Sequence, residues 1–209
     1  MAIGELSAAA VLILALLHEE PMHPYQVHHT LVERGDTRLV RVNAGAVYHG
    51  IERLEKEGLV EAAAVERSGN RPERTIYRIT DAGRSAFAAR LTSFLGDDHP
   101  SYPLFPVGLA EAHELASDGV VAELTRRHHR ETARMDALRQ AHGRLRTLGL
   151  PRRYLLDVEH DLAILAAEVA WLDRTLQELR ADELEWGRPF PQELAEARAE
   201  LKACQTPTA

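Results

Sequence analysis

Two groups of polar and basic residues carry the chemistry that this sequence can offer. Asn43, Gly45, Tyr48, His49, Arg53 and Lys56 recur at spacings that set them along the outer side of one helix, and Arg67, Asn70, Arg71 and Arg74 crowd around a single turn. Arginine, lysine and tyrosine suit phosphate oxygens, whereas an asparagine amide or an imidazole N–H can donate to base edges. Such a set recognises nucleic acid; it does not break bonds. Glu52, in the middle of the same helical face, needs a cytosine amine or a nearby arginine, since it otherwise repels the phosphate backbone. Catalytic parts are missing: there is no Gly-x-Gly for a dinucleotide or methyl-donor loop, no Walker-type motif and no Gly-x-Ser-x-Gly. The sequence therefore reads as a non-enzyme without a cofactor. Eleven histidines invite a metal reading. However, His28-His29 and His128-His129 are adjacent pairs whose rings diverge on a helix, so no metal site is assigned. The one cysteine, Cys204, sits in a polar tail away from any activating helix end.

The elements that must position these residues are readable in order. Leu6, Ala9, Ala10, Ile13, Leu14 and Leu17 recur at helical spacing behind a Ser7 cap, and Pro24 opens a shorter helix that ends near Gly35. Asn43 is the N-cap of a third helix, in which Val47, Ile51 and Leu54 share one face before Gly58 stops it. With those three residues turned inward, the polar group named above faces outward. Leu59 to Glu66 and Arg74 to Ile79 then read as two short strands joined by the basic turn. Three helices followed by such a hairpin make a winged helix-turn-helix. Thr80-Asp81-Ala82-Gly83 opens a further helix carrying Phe87 and Leu91.

The rest of the chain is different in character. Through Arg90 the eleven basic residues nearly balance twelve acidic ones, while the remainder carries a net charge of −6 out of −7 for the whole chain. The bulk charge is wrong for coating nucleic acid, so any contact is local: five arginines lie between Arg67 and Arg84. A Pro/Gly-rich stretch from Gly96 to Pro103 marks a linker and divides a domain at 1–95 from one at 96–209. Helices are expected at about Phe105–Ala116, Gly119–Leu148 and Arg152–Glu185. The last carries the strongest stripe in the chain, Leu155, Val158, Leu162, Leu165, Val169, Leu172, Leu176 and Leu179, with Ile164, Ala167 and Trp171 beside it. That stripe wants a partner helix and is assigned to dimerisation, the helix packing both within its subunit and against another. The expected fold class is thus mainly α with one β-hairpin: a winged helix-turn-helix followed by an all-helical domain of long antiparallel helices. The apolar run from Ala8 to Leu17 is too short to cross a bilayer and has no basic residue before it, so a cytoplasmic protein with no membrane partner is expected.

Three segments together are similar to the PadR family of bacterial transcriptional regulators: Pro21-Met22-His23-Pro24-Tyr25, the run from Asn43 through Arg53 to Val60, and Arg74 through Thr80-Asp81-Ala82-Gly83 to Arg84. The resemblance covers about the first ninety residues and adds Tyr25 to the candidate DNA contacts. It implies a homodimeric repressor of double-stranded DNA that excludes RNA polymerase from an inverted-repeat operator. In a two-fold dimer the two recognition helices then sit about 34 Å apart, one turn of DNA. It also implies release by a small phenolic or drug-like effector in a pocket between the two domains, for which Phe105, Trp171 and Trp186 are the aromatic candidates. The alternative is a winged-helix adaptor that docks proteins and binds no DNA.

Overall fold

The computed structural model describes residues 5–66, 74–97 and 101–186. They fall into two compact units, Met1–Ser101 and Tyr102–Ala209.

In the first unit α1 (Ala8–Glu19) is capped by the Ser7 hydroxyl, which accepts from the Ala10 N–H at 3.2 Å. The helix is nearly all apolar, and Ala10, Ile13, Leu14, Leu16 and Leu17 are buried in the centre of the unit. Around it stand α2 (Pro24–Glu33) and α3 (Ala44–Lys56), separated by a 3₁₀ turn at Asp36–Arg38 that Gly35 enters at φ +76°. The start of α2 is closed by an imidazole. His23 Nδ1 accepts from the Tyr25 N–H at 3.0 Å, and Gln26 accepts from the His23 N–H at 2.9 Å. This reciprocal cap satisfies two donors that the helix end leaves open.

After Gly58, also left-handed at φ +72°, come the antiparallel strands β1 (Val60–Glu66) and β2 (Arg74–Ile79). They pair Val60 with Ile79 and Glu61 with Arg78, and a bulge lies between Ala62 and Ala64. A further rung was not evident in the sequence: Met22 and Tyr77 exchange both backbone hydrogen bonds at 3.0 Å, tying the segment before α2 to the hairpin. Then α4 (Asp81–Gly96) starts from a Thr80 cap and lays Ala86, Phe87 and Phe94 against the core.

The second unit opens with α5 (Leu104–Ala110), which ends six residues before the expected Ala116 and gives way to a 3₁₀ turn at Ala112–Glu114. The long helices α6 (Ser117–Thr147) and α7 (Leu156–Arg180) run antiparallel, as cross-helix partners show: Arg180 meets Thr125 at one end and His142 meets Glu159 at the other. The residues expected to open α7, Arg152–Tyr154, instead form a 3₁₀ turn after Pro151. Val120, Leu124, Leu172, Leu176 and Leu179 build one apolar cluster of this hairpin, and Met135, Leu165 and Val169 build another.

The stripe on α7 turns largely inward within the single chain. Leu155, Val158, Leu165, Val169, Leu172, Leu176 and Leu179 are buried inside one chain, and Leu162 is half-buried. Within the chain the stripe packs on α6, which is the intramolecular half of the expected packing. The polar residues that interrupt the α6 repeat conceal this partnership. His128 reaches Asp173 at 2.7 Å, His142 reaches Glu159 at 3.6 Å, and Arg127 donates to Glu168 at 2.6 Å, all across to α7. Ile164, on the neighbouring face of α7, remains 53% exposed.

Candidate nucleic-acid interface

The third helix divides cleanly. Val47, Ile51 and Leu54 are at most 1% exposed, and the remaining bulk of this face is pared down by Gly50, where an added Cβ would lie 2.7 Å from Ile13 Cδ1. This close approach fixes α3 on α1 and turns Gly45, Tyr48, His49, Glu52, Arg53 and Lys56 outward, all of them exposed.

Asn43 has a double position. Its carboxamide oxygen accepts from the Ala46 N–H at 2.8 Å and closes the helix, so its NH₂ is the group that remains for a base edge. His49 Nδ1 lies 3.4 Å from Glu52 Oε2, one turn along the helix, and Arg53 reaches Glu57 at 3.9 Å. Tyr25, 57% exposed on α2, lies beside His29, and Tyr48, 41% exposed, meets His23 edge-on with ring centres 6.3 Å apart. A shallow recess at this junction is lined by His23, Pro24, Tyr48, Ile51, Glu52, Thr75 and Tyr77. It therefore joins the start of α2, the middle of α3 and β2.

Tyr77 is the residue that sequence reasoning missed. Its backbone pairs with Met22 while its phenol is held above the usual tyrosine range, first by burial and then by the Glu55 carboxylate beside it. It is the link between wing and helices, and only the period-2 alternation of Thr75 and Tyr77 hinted at it. Of the wing residues, Arg74 is exposed at the start of β2, and Arg78 is engaged with Glu61 across the hairpin at 2.7 Å. Arg67, Asn70 and Arg71 lie outside the described residues.

The aromatic candidates all belong to the second unit. Phe105 and Trp171 meet edge-on at 6.2 Å, and the Arg127 guanidinium lies 3.6 Å over the Phe105 ring while paired with Glu168. Trp186 packs on the same cluster and donates its indole N–H to the Leu115 carbonyl at 2.9 Å. The three are gathered, with one face of Phe105 already covered.

An exposed helix over a three-helix core, backed by a two-stranded hairpin, defines a winged-helix protein. Residues 13–89 match the transcriptional regulator PadR-like family. No curated protein matches the chain significantly. Among solved structures it is similar to Bacillus subtilis PadR in complex with operator DNA, with 17% identity and a TM-score of 0.68, over 83% of this chain and 99% of that one. The same protein in complex with p-coumaric acid gives 17% identity and a TM-score of 0.65, with the same coverage. The PadR-like transcriptional regulator BC1756 from Bacillus cereus gives 20% and 0.63, over 83% of this chain and 99% of that one. At these identities the likeness is one of fold, and it extends over the second unit, which the family match does not reach. Among the described residues no helix is long and apolar enough to cross a membrane.

Proposed function

We propose that the chain binds double-stranded DNA sequence-specifically as a homodimer and represses transcription from an inverted-repeat operator. One observation carries this reading: the whole outer side of α3, from Gly45 to Lys56, is exposed, and the wing strands flank it. A helix of this kind enters the major groove, where Asn43 and His49 face base edges and Tyr48, Arg53 and Lys56 face phosphates. Tyr25 and Arg74 extend the backbone contacts on either side, and Arg67, Asn70 and Arg71 are assigned to the wing tip. A regulator that acts on the chromosome works in the cytoplasm.

Selection of bound duplexes from a random pool tests the reading directly. The expected outcome is a pseudo-palindrome with half-sites one helical turn apart. Affinity should fall roughly a thousandfold or more between about 50 and 200 mM salt if six or more phosphates are contacted per dimer. A protein-docking adaptor would give no motif and no such salt slope.

Gathered in one cluster, Phe105, Trp171 and Trp186 support a small aromatic effector in the second unit, as does the likeness to a PadR crystallised with p-coumaric acid. Trp171 and Trp186 are the two tryptophans of the chain, so its indole fluorescence reports on this cluster alone. Titration with hydroxycinnamic acids is expected to quench it saturably and to release operator DNA over the same concentration range. Quenching without release would confine the ligand to binding without regulation.

A further inference from the structure

Glu52 is the residue that the DNA-binding reading leaves unexplained. It stands in the middle of the groove-facing side of α3, exposed, among groups suited to a polyanion. The arginine one position on, Arg53, is directed to Glu57, and the Glu52 carboxylate lies 3.4 Å from the His49 imidazole. The carboxylate also faces the recess of His23, Tyr48, Thr75 and Tyr77, and Glu55 sits next to the Tyr77 phenol. Among the described residues no guanidinium folds back onto it, so in a complex the carboxylate can take a donor from the DNA.

Resting on the DNA-binding reading above, we propose that Glu52 is a specificity-determining residue that selects a cytosine in each half-site, with His49 as the donor that reads the guanine beside it. An ionised carboxylate only accepts hydrogen bonds. On the floor of the major groove the donors are the cytosine N4 and adenine N6 amines. Adenine sets its N7 lone pair alongside the amine, facing a second carboxylate oxygen, whereas cytosine sets no acceptor of its own there. The acceptors next to a cytosine amine belong to the paired guanine, O6 and N7, and these match an imidazole N–H. His49 and Glu52 are three residues apart, about 4.5 Å along the axis, close to the 3.4 Å rise of one base step. Acceptor and donor on the protein therefore face donor and acceptors on a C·G pair or its immediate neighbour. Any base that offers the carboxylate no donor leaves it desolvated and unpaired against acceptor lone pairs, and this rejection is where the discrimination arises.

The test uses the full-length chain and compares duplexes selected by wild type, Glu52→Gln and Glu52→Ala. Wild type is expected to show one cytosine per half-site, favoured about 5- to 100-fold over other bases. Glu52→Gln should move that position to adenine, because a carboxamide supplies both the acceptor for N6 and the donor for N7. Glu52→Ala should flatten it while raising affinity for unrelated DNA. Glu52 is exposed, and circular dichroism can verify that the variants keep the wild-type fold. A motif unchanged by both substitutions overturns this inference and leaves the DNA-binding reading standing. Failure of wild type to select any motif overturns both.

Discussion

Leu172→Asp is expected to unfold the α6–α7 hairpin and not to yield a folded monomer. Leu172 is 0% exposed, and it is packed in a cluster with Val120, Leu124, Leu176 and Leu179 that belongs to a single chain. Replacing it removes a full leucine contact and places a carboxylate where no donor has been provided. Loss of apolar burial and a cavity alone cost about 2–5 kcal/mol, and an unpaired buried charge adds to this, so roughly 4 kcal/mol or more is expected. That is a large share of the 5–15 kcal/mol typical of a domain. Helices α6 and α7 span 31 and 25 residues, so their melting should remove much of the far-ultraviolet circular dichroism signal. Ile164→Asp is the informative partner variant. It lies on the same helix at 53% exposure, and it should keep the wild-type melting curve. If that face is the one a second copy covers, sedimentation will show Ile164→Asp as a folded monomer. A Leu172→Asp protein with a wild-type melt would mean that the hairpin packing described here is wrong.

This pair of variants shows what a sequence can and cannot state about a helix. Steps of three and four along Leu155 to Leu179 establish that a face is buried. They do not say what buries it. The answer lay in α6, whose facing positions include His128, Glu131 and His142 and so do not read as apolar. Across the hairpin they are legitimate, because histidine meets a carboxylate on α7, and Glu131, 5% exposed, is held by Arg130 at 2.9 Å on its own helix. Hydrophobic residues alone leave the stripe without a visible match in α6, so they do not say how much of it is covered within the chain.

The first unit was legible for the opposite reason. Asn43 and Gly58 bracket α3 with unambiguous start and stop chemistry, and Val47, Ile51 and Leu54 have no competing face. Once inside and outside are known on a helix that short, the exposed set follows from geometry. What escaped was the Met22–Tyr77 rung, since a single residue of ladder between Pro21 and Pro24 has no periodicity to detect. The His23 cap escaped as well, because histidine is not among the usual capping residues. The rung ties the hairpin to the segment before α2 and the cap fixes where α2 begins, so the positioning of the site was less readable than the site itself.

The second large effect concerns that positioning. Gly83→Ala should disable DNA binding from a place that cannot touch DNA. Gly83 is buried in the first turn of α4, where an added Cβ would lie 2.0 Å from the Leu59 carbonyl oxygen and 2.8 Å from Ile79 Cγ1. The oxygen cannot give way freely, because it accepts from the Thr80 N–H at 3.0 Å and from the Thr80 hydroxyl at 3.1 Å. That hydroxyl also donates to the Gly58 carbonyl at 2.8 Å and accepts from the Gly83 N–H at 3.0 Å. Four residues from the two ends of the hairpin therefore share one hydrogen-bonded corner, and the methyl group forces it apart. Overpacking against backbone costs about 1–3 kcal/mol or more, and the strained corner leads directly into β1 and, through Gly58, back to α3. In a unit of about a hundred residues this corresponds to a melting point lower by roughly 4–20 °C. Below that melting point the wing and α3 should be displaced relative to one another, so operator affinity falls by more than the unfolded fraction explains. Thr80→Ser, which keeps the hydroxyl, should leave both stability and affinity close to wild type. Equal affinity for Gly83→Ala and wild type, measured well below the melting transition, would show that this corner does not set the spacing between recognition helix and wing.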